Sequence, residues 1–201
     1  LRKPVPMMRL LQGDVGSGKT VVAALAMSIA ADNETQSVLM APTELLAEQH
    51  MDNLGGWFEP LGVKTVLLKS KLTQKERRLI LSEIKSGEAS IIVGTHALFQ
   101  NKVEYKNLSL VIVDEQHRFG VDQRLSLVKK TGDNNSVPHQ LIMTATPIPR
   151  TLAMTAYGDL DASILDELPK GRGQIKTIVI PDDKRSEVVQ KIPQETNKGR
   201  Q

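Results

Sequence analysis

The sequence contains no cysteine and few aromatic residues, and each shortage narrows what the protein can be. Without cysteine, neither a disulfide framework nor a thiolate metal site can form. Aromatic residues make up only 3% of the chain, so a core must be built mainly from Leu, Ile, Val, Ala and Met. This composition suits buried parallel strands, which read as continuous aliphatic runs.

Long apolar segments are absent as well. No apolar stretch follows the basic residues at the amino terminus, so residues 1–6 do not form a secretory signal. The longest apolar candidate, residues 21–31, is interrupted by Ser28 and is too short to span a bilayer. We therefore expect no membrane partner, and four scattered histidines without cysteine predict no transition-metal site.

The net charge of +3 does not by itself indicate a nucleic-acid partner. Eight basic and only four acidic residues lie between positions 169 and 201. This tail therefore accounts for the whole positive excess, and residues 1–168 are close to neutral. Any case for DNA binding has to come from motifs and not from bulk charge.

Aliphatic runs alternate with helical patterns along most of the chain. Strands are predicted at residues 8–12, 38–41, 65–68, 90–93, 108–113 and 140–143, and helices at residues 19–31, 44–57, 74–85 and 149–157. Thr73 is the predicted cap of the third helix, and Gly87 its stop. Strands joined by helices of this length predict an α/β fold with a mostly parallel sheet and helices on both faces.

The composition changes near residues 168–173, where proline, glycine and basic residues indicate a linker. After it, residues 175–180 read as a strand and residues 184–192 as a helix. We predict one domain over residues 1–168, and a linker with the truncated start of a second domain over residues 169–201.

A phosphate-binding loop is the strongest chemical signal in the sequence. It matches the pattern G-x-x-x-x-G-K-[ST] with Gly13, Asp14, Val15, Gly16, Ser17, Gly18, Lys19 and Thr20. Glycines let the backbone wrap closely around phosphates, and the amides at the start of the following helix bind anions. The pattern predicts an ATP site in which Lys19 neutralises phosphate charge and Thr20 offers its hydroxyl to Mg²⁺.

Two acidic residues, Asp114 and Glu115, follow the aliphatic strand predicted at residues 108–113. The carboxyl ends of parallel strands share one edge of a sheet, and ligands bind there. Asp114 is therefore expected beside the phosphate loop as a Mg²⁺ ligand. Glu115 is the candidate base that orients the attacking water in phosphoryl transfer.

The residues around this pair resemble superfamily 2 helicases. Asp114-Glu115-Gln116-His117 is similar to the family's motif II, and Thr144-Ala145-Thr146 is similar to motif III. Two further segments, APTELLAEQH at residues 41–50 and VGTHAL at residues 93–98, resemble motif Ia and the next strand-end motif. The resemblance implies a RecA-like P-loop NTPase lobe that binds ATP and Mg²⁺.

Finer details are similar to one branch of this superfamily, the bacterial translocases of DNA repair and recombination. They are GDVGS at residues 13–17, DEQHRFGV at 114–121, TATPIPRTL at 144–152 and YGDLD at 157–161. The resemblance implies a cytoplasmic bacterial helicase that acts on branched DNA by fork reversal and Holliday junction migration. Transcription-repair coupling translocases are the second candidate, with Glu where Gln116 stands.

The resemblance also assigns roles to residues outside the ATP site. Residues implied to couple ATP to DNA are Gln116, His117, Thr144 and Thr146. Thr43 and Thr95 would contact the DNA backbone, although each could instead cap a helix. Arg150 could pair with motif II or reach DNA. His50, on the predicted second helix, is expected to be a solvated or half-buried face residue.

Superfamily 2 motors close ATP between two lobes, and the second lobe supplies an arginine finger. We find neither that lobe's arginine motif, nor the adenine-reading glutamine segment, nor the wedge domain that grips branched DNA. The expected protein is thus one lobe of a larger polypeptide. The alternative is a self-contained P-loop NTPase or kinase, but we find no segment for a lid or an acceptor site. The D-E-x-H and T-A-T motifs favour the motor.

Overall fold

The computed structural model describes residues 1, 5–100, 102–115, 137–146, 160–167, 177 and 179–197. The chain divides into two compact units, Leu1–Pro169 and Lys170–Gln201. The predicted helix at residues 149–157, the linker, Gln116, His117 and Arg150 lie outside the described residues.

The first unit alternates strands and helices. Its strands are β1 (Met8–Gly13), β2 (Gln36–Met40), β3 (Thr65–Leu68), β4 (Ile91–Gly94), β5 (Leu108–Asp114), β6 (His139–Thr144) and β7 (Asp161–Leu165). Its described helices are α1 (Lys19–Asp32), α2 (Glu44–Phe58) and α3 (Gln74–Ser86). Single turns of 3-10 helix occur at Glu59–Leu61 and His96–Phe99.

The seven strands form one sheet in the order β3-β4-β2-β5-β6-β1-β7, and every described pairing is parallel. The α/β prediction with a mostly parallel sheet is therefore confirmed. The order places β6 between β1 and β5, so the segments after these three strands emerge side by side at the carboxyl edge.

Helices cover both faces of the sheet. On one face, apolar residues of α1 and α2, such as Met27 and Leu54, pack against Leu39 and Ile112. On the other, Ile84 of α3 packs against Val38 and neighbouring strand residues. Since side chains alternate along a strand, each buried strand supplies apolar residues to both layers.

Helix α3 shows how local sequence defines an element. The Thr73 Oγ1 accepts a hydrogen bond from the Glu76 N–H over 3.3 Å, and Glu76 Oε2 accepts one from the Thr73 N–H over 2.9 Å. This capping box satisfies amides that the first turn leaves free. Gly87 ends the helix with a φ of 80°, so the predicted cap and stop are both confirmed.

Two sequence interpretations differ from the structure. Strand β7 was not predicted from the sequence. It lies at the edge of the sheet and is only partly buried, so its sequence, DASIL, lacks the continuous aliphatic run by which buried strands were predicted. The strand predicted at residues 175–180 is wrong at its described positions 177, 179 and 180, which lie in no strand. In the second unit, the predicted helix is present as α4 (Arg185–Thr196).

Candidate nucleotide and nucleic-acid site

The phosphate-binding loop connects β1 to the start of α1. Gly16 and Gly18 adopt left-handed backbone conformations, with φ angles of 82° and 94°. The Lys19 Nζ lies within the loop and donates hydrogen bonds to the carbonyl oxygens of Gly13, at 2.8 Å, and Asp14, at 2.9 Å. Thr20 lies in the first turn of α1, directly after Lys19.

Close packing at Gly13 explains why the loop begins with glycine. A Cβ built on Gly13 would lie 2.5 Å from the Ser17 Oγ and 2.9 Å from the Leu165 Cβ. Both distances are shorter than real Cβ contacts, so a larger residue would displace the loop from β7. The Ser17 Oγ is buried without a hydrogen-bond partner in the structure.

Strand register brings Asp114 to the same edge as the phosphate-binding loop. Met143 of β6 is paired with Leu11 of β1 on one side and with Asp114 of β5 on the other. Two strand spacings separate Leu11 from Asp114, a distance of about 10 Å. The side chain of Asp114 points to the face of α1 and α2, because it lies two residues after Ile112.

The Asp114 carboxylate is paired with His50. The His50 Nε2 lies 2.8 Å from Asp114 Oδ2, and the two residues are only 8% and 9% exposed. The expectation that His50 is solvated or half-buried is therefore wrong. The signal was present in the sequence, because Ala47, His50 and Leu54 follow the spacing of the core-facing stripe of α2.

Glu115 joins the end of β5 to the segment after β6. Its φ of 50° is unusual for a residue with a side chain. Its N–H donates to the Met143 carbonyl over 3.0 Å, and its Oε1 accepts from the Ala145 N–H over 3.3 Å. Left-handed backbone outside glycine is a form of strain that is found at functional sites.

The two threonines of the T-A-T segment are linked to each other. The Thr144 Oγ1 accepts from the Thr146 N–H over 3.1 Å and lies 3.3 Å from the Thr146 Oγ1. Thr144 pairs in register with Gln12, the residue before the phosphate-binding loop. The two segments are therefore adjacent at the carboxyl edge.

The two candidate DNA contacts have different surroundings. Thr43 is exposed and caps α2, with its Oγ1 accepting from the Leu46 N–H over 3.3 Å. Thr95 is only 2% exposed, and its Oγ1 has no hydrogen-bond partner in the structure. Thr43 thus presents an accessible hydroxyl, whereas the Thr95 hydroxyl lies beneath the surface.

Among the described residues, no group of three or more His, Asp or Glu side chains is arranged to hold a metal ion. No helix in the described ranges combines the length and hydropathy that crossing a bilayer requires.

The chain is similar in sequence and fold to known helicases. A family model described as DEAD/DEAH box helicase matches residues 6–155. The ATP-dependent DNA helicase RecG of Pasteurella multocida is 59% identical over 192 residues, which are 96% of this chain and 28% of that protein. RecG of Bacillus subtilis is 50% identical over 201 residues, which are 100% of this chain and 29% of that protein.

The chain is also similar to solved helicase structures. A structure of RecG bound to a three-way DNA junction matches with a TM-score of 0.80 and 41% identity, over 96% of this chain and 25% of that one. The helicase MrfA bound to DNA matches with a TM-score of 0.63 over 80% of this chain and 25% of that one, and at 20% identity it shows the fold alone.

The chain therefore spans between a quarter and a third of the length of the RecG proteins it matches. Its parallel sheet is that of a RecA-like helicase lobe. From the family match and the identity along nearly its whole length, the chain belongs to the DEAD/DEAH box helicase family and resembles RecG.

Proposed function

We propose that this chain is the ATP-binding motor lobe of a bacterial DNA helicase that moves on branched DNA. In the full protein, ATP hydrolysis would drive fork reversal and Holliday junction migration in recombination and repair. One observation carries the proposal. The phosphate-binding loop, the Asp114-Glu115 pair and the T-A-T segment follow three adjacent parallel strands and meet at one edge of the sheet.

Nucleotide binding would use the loop from Gly13 to Thr20. The Lys19 ammonium donates to two loop carbonyls, and phosphate oxygens of ATP would replace these acceptors. Exchange of neutral carbonyls for charged oxygens strengthens each hydrogen bond. The backbone amides of Gly16 and Gly18, with the amino terminus of α1 behind them, would bind the remaining phosphate oxygens.

The oxygen groups at this edge suit Mg²⁺. Magnesium sites in ATPases use one or two protein oxygens together with substrate phosphates and water. Thr20, in the first turn of α1, and Asp114, with its buried carboxylate, would hold the ion. When bound, Mg²⁺ neutralises charge on the phosphate oxygens.

Hydrolysis would depend on Glu115 as the residue that orients the attacking water. Its backbone is strained and is held by Met143, and its carboxylate also reaches the Ala145 N–H. Preorganisation of this kind lowers the cost of placing a base at the γ-phosphate.

Coupling to DNA would involve the segments that follow motif II and β6. Gln116, His117, Thr144 and Thr146 are the proposed coupling residues. Thr43 is proposed to bind a DNA phosphate, because its hydroxyl is exposed at the sheet edge. Thr95 is retained as a second contact, although its buried hydroxyl would reach a phosphate only after a local rearrangement.

The proposed motor needs more than this chain provides. The RecG relatives are more than three times as long, and a second helicase lobe and an amino-terminal wedge domain are proposed for the full protein. We place the first lobe at residues 1–168 and the start of the second at residues 169–201. Because the proposed substrate is bacterial chromosomal DNA, the proposed location is the cytoplasm.

The decisive experiment measures ATP turnover by the full-length protein with and without DNA. A three-way junction should stimulate phosphate release more than a linear duplex of equal nucleotide content. Omission of Mg²⁺ should abolish turnover in both cases. ATP turnover that is unchanged by DNA but requires a small-molecule phosphate acceptor would instead support a P-loop kinase.

A further inference from the structure

His50 is fixed in the core of the lobe, although nothing in its residue type requires burial. It lies on the stripe of α2 that packs against the sheet, between Ala47 and Leu54, which are both 0% exposed. The rest of that stripe is apolar. A buried imidazole at such a position costs free energy unless a polar partner satisfies it.

Asp114 is that partner. A carboxylate accepts hydrogen bonds and has none to donate, so the His50 Nε2 must carry the proton in the 2.8 Å contact with Asp114 Oδ2. The hydrogen bond holds one oxygen of the Asp114 carboxylate in place, and it therefore also fixes the rotation of the carboxylate. The other oxygen, Oδ1, is left for ligands at the sheet edge.

Breaking such a pair leaves a buried charge or dipole without a partner, whereas two apolar residues would pack here at less cost. A purely structural role therefore explains the pair poorly. Residues that hold metal ligands in place commonly stand in this relationship to them, as a hydrogen-bond partner behind the ligand. The contact also joins Asp114 to the helix that begins directly after the exposed Thr43.

On the basis of the function proposed above, we infer that His50 is a positioning residue for Asp114. Its Nε2–H holds Oδ2 so that Oδ1 faces the Mg²⁺–nucleotide complex. His50 itself touches neither the metal nor the nucleotide. Its loss should therefore weaken metal binding in the nucleotide complex, while metal-free nucleotide binding stays as it is.

Four variants of the full-length protein separate this role from packing. His50→Gln keeps an N–H donor near the position of Nε2, and His50→Leu has similar bulk without a donor. His50→Asn stays polar, but its shorter amide does not reach Oδ2. Asn53→Leu, at an exposed position of α2 outside the motif Ia segment, is the control for a change in the same helix.

The main measurement is Mn²⁺ affinity in the ADP complex, followed by electron paramagnetic resonance without turnover. His50→Leu and His50→Asn should weaken Mn²⁺ binding by about 10- to 100-fold, the usual effect of removing a partner of a metal ligand. His50→Gln should recover most of the affinity, and Asn53→Leu should match wild type. ADP affinity without metal should be the same in all five proteins.

A double-mutant cycle with Asp114→Asn tests whether the effect passes through Asp114. His50→Leu should weaken Mn²⁺ binding no further once Asp114 is replaced. If His50→Leu does not fold, His50→Asn and His50→Gln provide the same comparison with polar side chains.

The outcomes are distinct. Wild-type Mn²⁺ affinity in folded His50→Leu or His50→Asn, or equal defects in His50→Asn and His50→Gln, would overturn the positioning role and leave the proposed function intact. A wild-type protein that binds no Mn²⁺–ADP would overturn the proposed function and the role of His50 together.

Discussion

The Glu115 carboxylate and the Ala145 backbone are joined by a hydrogen bond of 3.3 Å between Oε1 and N–H. A second bond, from the Glu115 N–H to the Met143 carbonyl, ties the same residue to the end of β6. A carboxylate proposed to orient water is thus connected to the T-A-T segment proposed to couple ATP to DNA. Movement of the Glu115 carboxylate during hydrolysis would therefore displace the Ala145 backbone through this hydrogen bond.

Glu115→Gln should keep ATP binding and lose hydrolysis in the full-length protein. The amide oxygen can still accept from the Ala145 N–H, but it cannot act as a base. Loss of a base typically lowers turnover by about 10²- to 10⁴-fold. Phosphate release and fluorescent-ATP titration measure the two effects. Glu115→Ala would remove the contact with the Ala145 N–H as well as the base. If Glu115→Gln hydrolyses ATP at the wild-type rate, another residue must orient the attacking water.

Lys19→Ala should abolish turnover and weaken ATP binding, because the ammonium that neutralises the phosphates is removed. Calorimetric titration with ATP, alongside phosphate release, measures both. Lys75→Ala, at an exposed position of α3, removes the same charge away from the site and should behave as wild type. Equal ATP affinity in Lys19→Ala and Lys75→Ala would contradict the role of the loop.

Thr43→Asp should separate helix capping from DNA binding. Aspartate caps helices at least as well as threonine, so thermal stability should be preserved, whereas Thr43→Ala should lose about 1 kcal/mol. A negative charge at an exposed phosphate contact should repel DNA, and fluorescence anisotropy with a labelled junction measures this. If Thr43→Asp binds the junction as wild type does, Thr43 serves only as a cap.

The 201-residue chain by itself should bind nucleotide weakly and hydrolyse ATP barely, with or without DNA. Half of a cleft buries only part of a ligand, and absence of an arginine finger costs about 10³- to 10⁵-fold in related NTPases. Steady-state phosphate release measures the effect. A junction-stimulated turnover of about 1–100 s⁻¹, usual for kinases, would show that one lobe suffices.

His139 should make the stability of the chain depend on pH. Burial lowers the pKa of its imidazole, and its Nδ1 accepts a hydrogen bond from the Met7 N–H over 2.8 Å. A lowered folded-state pKa gives stability that is present above the unfolded value of about 6.5 and is lost as the pH falls through the folded value.

Thermal melts between about pH 7.5 and 5.5, on either side of the unfolded histidine pKa, measure this loss. His139→Asn is the matched variant, since its Oδ1 can accept from Met7 but does not titrate. Its melting temperature should fall less as the pH is lowered. The same slope in both proteins would place the pH dependence elsewhere.

Local sequence determined much of this lobe. The phosphate-binding loop, the capping box at Thr73 and the stop at Gly87 depend on backbone and side-chain contacts among near neighbours. Aliphatic runs between helical patterns were enough for a parallel sheet, because both faces of such strands are buried. Asp114 and Glu115 could be placed at the carboxyl edge for the same reason.

Only the tertiary structure decided which edge residues meet. The sequence does not specify that β6 lies between β1 and β5, so the contacts of Glu115 with Met143 and Ala145 could not be read from it. The pairing of His50 with Asp114 spans 64 positions and depends on where α2 packs against the sheet. The burial of Thr95 likewise reflects packing around it, since exposure is a property of the assembled layers and not of a residue's neighbours in sequence.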